Sequence, residues 1–272
     1  MEEVTLKCEV ITPMFMAGAD GKTPELRPSE FKGMMRFWWR AIKAMDNICE
    51  LRKEEAKIFG GTGTGEGKSK VGIRILKNEI QKEAYRPLPH SQNKRFVLQA
   101  VMPGSKFEVS LFCRDKSECI FYKNIFILSA LLGGFGKRAR RGFGSIKIEG
   151  EEINLDIINN RLNLIQESFS VANTKIVNKN GSGYYPWIKE IQIGKKYSDT
   201  DTLLKVIGQA SHEHNDPSLG NADPRMASPV YVSVIEINEE YFPIITTLNI
   251  SLPQGYPRYD FSKQKSFKGE LL

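Results

Sequence analysis

The run Ile120-Phe-Tyr-Lys-Asn-Ile-Phe-Ile-Leu-Ser-Ala-Leu-Leu132 passes directly into Gly133-Gly134-Phe135-Gly136-Lys137-Arg138-Ala139-Arg140-Arg141-Gly142-Phe143-Gly144, and then into Ser145-Ile146-Lys147-Ile148-Glu149. The first run reads as an apolar helix, the last as an alternating strand, and the glycines join them. Gly134-Phe135-Gly136-Lys137-Arg138-Ala139 fits a loose dinucleotide fingerprint, but that motif follows a strand and opens a helix. Here the order is reversed, which excludes a nucleotide cofactor. Thirteen positions from Leu132 to Gly144 hold five glycines, three arginines, a lysine and two phenylalanines. Glycine takes positive φ and lets a ligand approach the backbone. Arginine offers a planar donor fork for phosphate and a face for stacking, and phenylalanine offers a second stacking face. We therefore read Gly134, Gly136, Lys137, Arg138, Arg140 and Arg141 as RNA-binding candidates; the competing reading is a charged turn that is merely solvated.

A second basic stretch lies upstream. Pro28-Ser29 opens a helix with Ser29 as N-cap, running to about Cys49. At about 100° per residue, Phe31, Met35, Trp38, Ile42, Met45 and Cys49 share a buried side. Lys32, Arg36, Arg40 and Lys43 gather on another, with Trp39 projecting among them as a surface for base stacking. Only Glu30 is acidic between Ser29 and Met45, so the stripe is expected to be unpaired. The two basic stretches are expected to converge on one groove that accepts a ribose-phosphate strand.

The totals fit that partner. A length of 272 residues suits one large or two ordinary domains, and the net charge of +7 favours a polyanion. With 40% hydrophobic and 26% charged residues the chain is an ordinary globular one. No apolar run approaches the roughly 18 residues that span a bilayer, and Met1-Glu-Glu-Val-Thr-Leu-Lys7 goes straight into strand alternation rather than a signal peptide. A cytoplasmic protein with no membrane partner is expected. Cys8, Cys49, Cys113 and Cys119 have no metal-ligand spacing and read as reduced thiols.

The remaining pattern supplies the fold. Val4–Ile11 reads as a strand, Met14–Pro28 as a loop, and Val71–Leu76 as a strand. Gly60 to Ser69 fails as a phosphate loop, because Thr62 stands where its first glycine belongs and a strand follows. Phe96–Val101 and Lys106–Cys113 read as a hairpin across Met102-Pro103-Gly104-Ser105. The order strand, helix, strands, helix, glycine loop, strand is the ferredoxin-like arrangement, an antiparallel sheet with both helices on one face. Arg141-Gly142-Phe143-Gly144-Ser145-Ile146-Lys147-Ile148 partly matches the RNA-recognition signature strand. Ser145 and Ile148 replace its stacking aromatics, so the sheet is not expected to read bases in that module's way. We place a boundary after Gly150, giving domains 1–150 and 151–272. In the second, we expect a helix over Ile157–Phe169, a polar linker over Asn173–Gly183 and a strand over Tyr184–Ile193. A short helix over Thr202–Gln209, a polar loop over Ser211–Ala227, strands over Pro229–Ile237 and Pro243–Leu252, and a last helix in the basic tail follow.

Thr12-Pro13-Met14-Phe15, Pro24-Glu25-Leu26-Arg27-Pro28, Lys32-Gly33-Met34-Met35-Arg36-Phe37-Trp38-Trp39-Arg40-Ala41, Ile58-Phe59-Gly60-Gly61, the 133–144 loop and Arg225-Met226-Ala227-Ser228-Pro229 together resemble the RAMP superfamily of CRISPR systems, and within it the family of the first-numbered subunit of the Cmr (type III-B) effector complex. That resemblance implies two tandem ferredoxin-like (RRM-like) domains, α+β with antiparallel sheets. It also implies a non-catalytic subunit that engages guide and target RNA near the 3′ end of the guide, beside other Cmr subunits. No cofactor, metal or catalytic residue is assigned. Some RAMP relatives cut guide-RNA precursors with a histidine base, so nuclease chemistry by His90 or His212 is the second reading; the His212/His214 pair lacks an anchoring third ligand and reads as solvent-exposed rather than as a metal site. A protein-only scaffold, its basic surfaces facing acidic partner subunits, is the third reading.

Overall fold

The computed structural model describes residues 1–91, 96–250, 252 and 255–272. Its first half runs β1 (Glu2–Val10), α1 (Pro28–Lys43), α2 (Ile48–Phe59), β2 (Gly72–Glu79), β3 (Lys82–Tyr85), β4 (Leu98–Val101), β5 (Lys106–Cys113), α3 (Lys116–Leu132) and β6 (Ile146–Ile148). The second half runs α4 (Leu155–Asn163), β7 (Phe169–Ala172), β8 (Lys175–Asn178), β9 (Ile188–Ile193), α5 (Thr200–Glu213), β10 (Val230–Ile237), β11 (Glu240–Leu248) and α6 (Phe261–Gly269).

The first sheet has the order β2-β5-β1-β6, every pair antiparallel. This is the ferredoxin-like strand order, as the sequence pattern predicts. Alternation along β1 sends Leu6, Cys8 and Val10 inward, where α1 and α3 cover them. The opposite face is an interleaved charge lattice. Lys7 pairs with Glu149 at 3.4 Å, Lys77 with Glu108 at 3.2 Å and Lys106 with Glu9 at 4.0 Å. Such a face offers a polyanion as much repulsion as attraction.

The second sheet has the order β10-β11-β9-β8-β7, again antiparallel throughout. Along β10, Val230, Val232 and Val234 turn toward α5 and α6, while Tyr231 and Ile235 join the core that includes α3. From Asn124 to Leu132 helix α3 is buried on every side, and its residues there are almost all apolar. One hydrophobic cluster runs from Leu6 through α3 to Leu248, and the Ser233 hydroxyl donates to the carbonyl of Leu131. The α+β, antiparallel class is thus the observed one.

Several local expectations are corrected. Ser29 is not the N-cap of α1; Arg27 is, with Pro28 at the first turn, where its missing N–H costs nothing. The helix stops at Lys43 rather than near Cys49, because Ala44 takes a left-handed φ of 46°. Asn47 then caps α2 by accepting from the Cys49 and Glu50 amides. Strand β4 pairs with β3, not with β5, so the expected hairpin across Met102–Ser105 is a crossing between two sheets. Residues 173–183 are not simply a linker, since Asn173, at φ 57°, turns the β7–β8 hairpin. The helix expected over Ile157–Phe169 ends at Asn163, and Phe169 opens β7. Helix α5 extends to Glu213, into the expected loop. Strand β11 ends at Leu248, and Ser251 of the strand expected to Leu252 lies outside the described residues. No helix among the described residues is long and apolar enough to cross a membrane.

Because α3 belongs to both sheets' cores, Leu128→Ala, at a fully buried site, should cost about 2–5 kcal/mol of unfolding free energy. Denaturant unfolding followed by tryptophan fluorescence and by circular dichroism should move together in one transition.

Candidate functional site

The loop between α3 and β6 is built by its own packing. Phe135 is fully buried, with ring centroids 4.7 Å from Phe31 and 5.7 Å from Phe126. Phe143 is buried against Phe15 at 5.1 Å. Neither ring is free to stack on a base, which corrects the expectation for both. The glycines also serve the protein. A Cβ on Gly134 (φ 69°) would meet the Gly144 carbonyl oxygen at 2.8 Å, and one on Gly136 (φ 86°) the Phe15 oxygen at 2.8 Å. They bring backbone to backbone, not backbone to ligand, although Gly136 remains on the wall of the cavity described below.

Beyond Gly136 the loop docks on β10. The Gly142 amide donates to the Val232 carbonyl at 2.7 Å, and the Val234 amide donates to the Ser145 hydroxyl at 2.9 Å. Arg141 is enclosed. Its Nε donates to Ser211 Oγ at 3.0 Å, Nη1 to the Arg140 and Val230 carbonyls at 2.9 and 3.1 Å, and Nη2 to the Leu219 carbonyl at 3.4 Å. Burial, with Arg138 and Arg140 beside it, pushes its pKa down to about 10, so it stays charged at neutral pH. Arg141 is therefore a structural clamp. Arg140 donates to the Ser228 carbonyl at 3.1 Å and lies 4.5 Å from the Tyr231 ring centroid. Arg138 sits in the left-handed region at φ 63°, with its guanidinium over Phe143 and its pKa lowered by burial. Lys137 is exposed.

These cations border an open cavity of about 730 Å³, closed by Met34 of α1, Ser211 and Asn215 near the end of α5, the 219–228 segment and Tyr231. Among the described residues no carboxylate lines it. Among the described residues, none of Lys137, Arg138, Arg140 and Arg141 makes an ion pair; the acceptors of the arginines are neutral hydroxyls and carbonyls.

The upstream stripe is different. Glu55 of α2, itself buried, accepts from Arg36 Nε at 2.5 Å and from Arg40 Nη1 at 2.7 Å, and Glu54 pairs with Lys43 at 3.4 Å. The stripe expected to be unpaired is partly compensated, three of its four cations pairing with the two carboxylates of Glu54 and Glu55 on α2. Lys32 is half-buried and its pKa is lowered by burial and by Arg36. Trp39 does not project among the cations; it is buried, edge-on to Phe59 of α2 at 6.4 Å. Helical spacing puts Lys32, Arg36, Trp39 and Lys43 about half a turn from Met34, so the basic side of α1 faces α2 while Met34 faces the loop. The single groove joining the two stretches does not form.

The loop's partners Ser211, Asn215, Ser228 and Tyr231 were not singled out from sequence, although Ser228 falls within Arg225–Pro229. Of the histidines, His212 lies on α5 and His214 is its C-cap, so the two do not share a face as strand neighbours would. His214 bonds Glu270, and Gln209 donates to Glu213 Oε1 at 2.5 Å. Glu213, His214 and Glu270 bring ligand-type atoms within 4.8 Å, and those bonds account for the cluster without an ion. His90 instead lies 5.8 Å, ring to ring, from His212.

Comparison with known proteins places this geometry in context. A family profile described as the RAMP superfamily matches residues 7–147. The chain is 31% identical over 183 residues to the CRISPR system Cmr subunit Cmr1-2 of Pyrococcus furiosus, covering 55% of this chain and 96% of that one. The apo crystal structure of Cmr1 from Pyrococcus furiosus superposes with a TM-score of 0.67 at 18% identity, over 100% of this chain and 97% of that one. A chain from a cryo-EM structure of type III-B Cmr-beta bound to cognate target RNA gives 0.57 at 11% identity, over 98% of each.

Arg141→Met should lower unfolding free energy by about 2–4 kcal/mol, because buried carbonyls lose their donors. Lys137→Met should stay within about 0.5 kcal/mol. Urea unfolding of both variants checks the assignment of enclosed clamp and exposed cation.

Proposed function

Since the chain belongs to the RAMP superfamily and, within it, to the Cmr1 family, we propose that it is a non-catalytic RNA-binding subunit of a type III-B Cmr CRISPR effector complex. In this reading it engages guide or target RNA near the 3′ end of the guide, beside other Cmr subunits. The observation that carries it is the cavity beside Lys137, Arg138 and Arg140, which among the described residues lacks any carboxylate on its wall. Clustered guanidiniums repel one another, and a phosphate backbone relieves that repulsion while releasing counterions. The stripe of Arg36, Arg40 and Lys43 contributes less, because Glu54 and Glu55 already engage it and offset two of its three charges. Lys137, Arg138 and Arg140 are the contacts, Gly136 shapes the wall, and Arg141 holds the loop in place.

Binding of a labelled single-stranded RNA should weaken steeply with salt. Changing Lys137, Arg138 and Arg140 together to Gln removes three phosphate contacts and should flatten the log-log slope by roughly two units. An unchanged slope in a variant that unfolds like the parent would sink the loop as the site. RNA product on a denaturing gel, lost in His90→Ala, would replace this reading with a nuclease. Affinity that exists only within the assembled complex would favour the scaffold.

A further inference from the structure

Arg140 stands between two cavities. On one side is the open arginine cavity of about 730 Å³, and on the other a smaller one of about 120 Å³; Arg140, Met226 and Ser228 line both and form the wall between them. The smaller cavity differs in character. Phe37 of α1, Pro186, Met226, Pro229, Leu248 at the end of β11 and Ile250 make it apolar, and Arg140 is its one charged group among the described residues. Arg140 is held at this partition by its bond to the Ser228 carbonyl and by the Tyr231 ring, which in turn packs on Phe37 at 5.6 Å.

The chemistry that fits follows from size and lining. An apolar cavity of about 150 Å³ takes one benzene-sized ring. A space of about 120 Å³ therefore admits a single six-membered ring, and a fused pair of rings exceeds it. A ring that enters meets an aromatic side chain in Phe37 and a guanidinium in Arg140, the two kinds of surface on which unstacked RNA bases settle. Asn249 adds a polar group to the wall. Its Nδ2 donates to the Gly183 carbonyl at 3.3 Å, and its Oδ1 has no partner among the described residues, so it can accept from the N–H edge of a base.

Resting on the RNA-binding reading above, we propose that the small cavity is a base subsite. A strand whose phosphates lie on Lys137, Arg138 and Arg140 turns one base across Arg140 into the space lined by Phe37 and Met226, and that base is a pyrimidine. Base and phosphate of one nucleotide are separated by a ribose, and the two cavities are separated by a side chain, so a single nucleotide occupies both. Phosphate contacts carry no sequence information, whereas contacts to bases do. Uracil N3–H and cytosine N4–H2 each offer Asn249 a donor, so ring size sets the choice. An oversized group in a fitted pocket costs at least about tenfold, and oligouridine and oligocytidine should bind about tenfold tighter than oligoadenosine.

The full chain is titrated with labelled oligouridine, oligocytidine and oligoadenosine of equal length, beside Ala227→Leu, which puts a branched side chain at an exposed position on the cavity wall. Free oligoadenosine stacks on itself, and comparing the affinity ratio in parent and variant cancels that contribution. The pyrimidine-to-adenosine ratio should drop about tenfold in Ala227→Leu, while the salt slope, set at the other cavity, stays. Photocrosslinking of RNA carrying 5-iodouridine to the parent chain needs no variant, and should attach to peptides bearing Phe37, residues 226–229 or residues 248–250. A ratio unmoved by Ala227→Leu, or crosslinks confined to other peptides, would overturn the subsite and leave the RNA-binding reading intact. RNA not bound at all would overturn both.

Discussion

Strand β10 ends its sheet with one edge unpaired, and the backbone of the glycine loop fills that edge. An open edge is a template for unwanted pairing, which folded proteins cover. Here the Gly142 amide and the Ser145 hydroxyl bond β10 directly, and Arg141 adds a donor to the carbonyl of Val230. The loop that leaves the first sheet's second long helix therefore seals the second sheet. Everything charged at the site is held in place by this docking. Lysine would not serve at position 141, because one ammonium cannot span Ser211, Val230 and Leu219 as a rigid fork does.

Two basic stretches that look alike in sequence separate once the chain folds. Helix α2 returns along α1 and sets Glu54 and Glu55 against Lys43, Arg36 and Arg40. A buried carboxylate shared by two guanidiniums binds two helices together, and it is a reason for the stripe to exist without any ligand. The loop receives no such acid. Its arginines are satisfied by hydroxyls and carbonyls, which meet the hydrogen-bonding need but leave the net charge standing. Hydrogen bonding and charge compensation are separate requirements, and the difference between the two stretches is that only the helix has carboxylates against its cations.

How much was legible beforehand follows the range of each interaction. The apolar run Ile120–Leu132, the alternation of β1 and the glycine loop between helix and strand are local patterns, and they gave the first sheet's topology. The partner of β4 was not local: Phe96–Val101 and Lys106–Cys113 look like a hairpin because a turn joins them, yet β4 pairs upstream with β3. Trp39 shows the same limit. Its position on the wheel put it among cations, but α2 covers that side and buries it against Phe59. Counting acids only to Met45 missed Glu54 and Glu55, although Asn47 and the run Glu50–Lys57 carry the marks of a second helix. At the site, Arg138 and Arg140 were legible as residue types in a glycine setting. Their environment was not, because Ser228, Tyr231 and the end of α5 lie seventy to ninety positions away.

A site assembled across a junction has a thermodynamic consequence. The cavity wall takes Met34 from α1, the arginines from the loop, and Ser211, Ser228 and Tyr231 from the second half. The repulsion among Arg138, Arg140 and Arg141, neighbours on one loop, is sharpened where the second half encloses Arg141. An anion bound there relieves repulsion in that enclosed state, and a ligand that binds one state stabilises that state by mass action. In the proposed RNA-binding reading, occupancy and this packing are linked: a bound phosphate backbone would strengthen the junction that forms the site. Gly142, where a Cβ would lie 2.9 Å from Leu204 and Ile207 of α5, lets the loop pack closely on the second half at that junction.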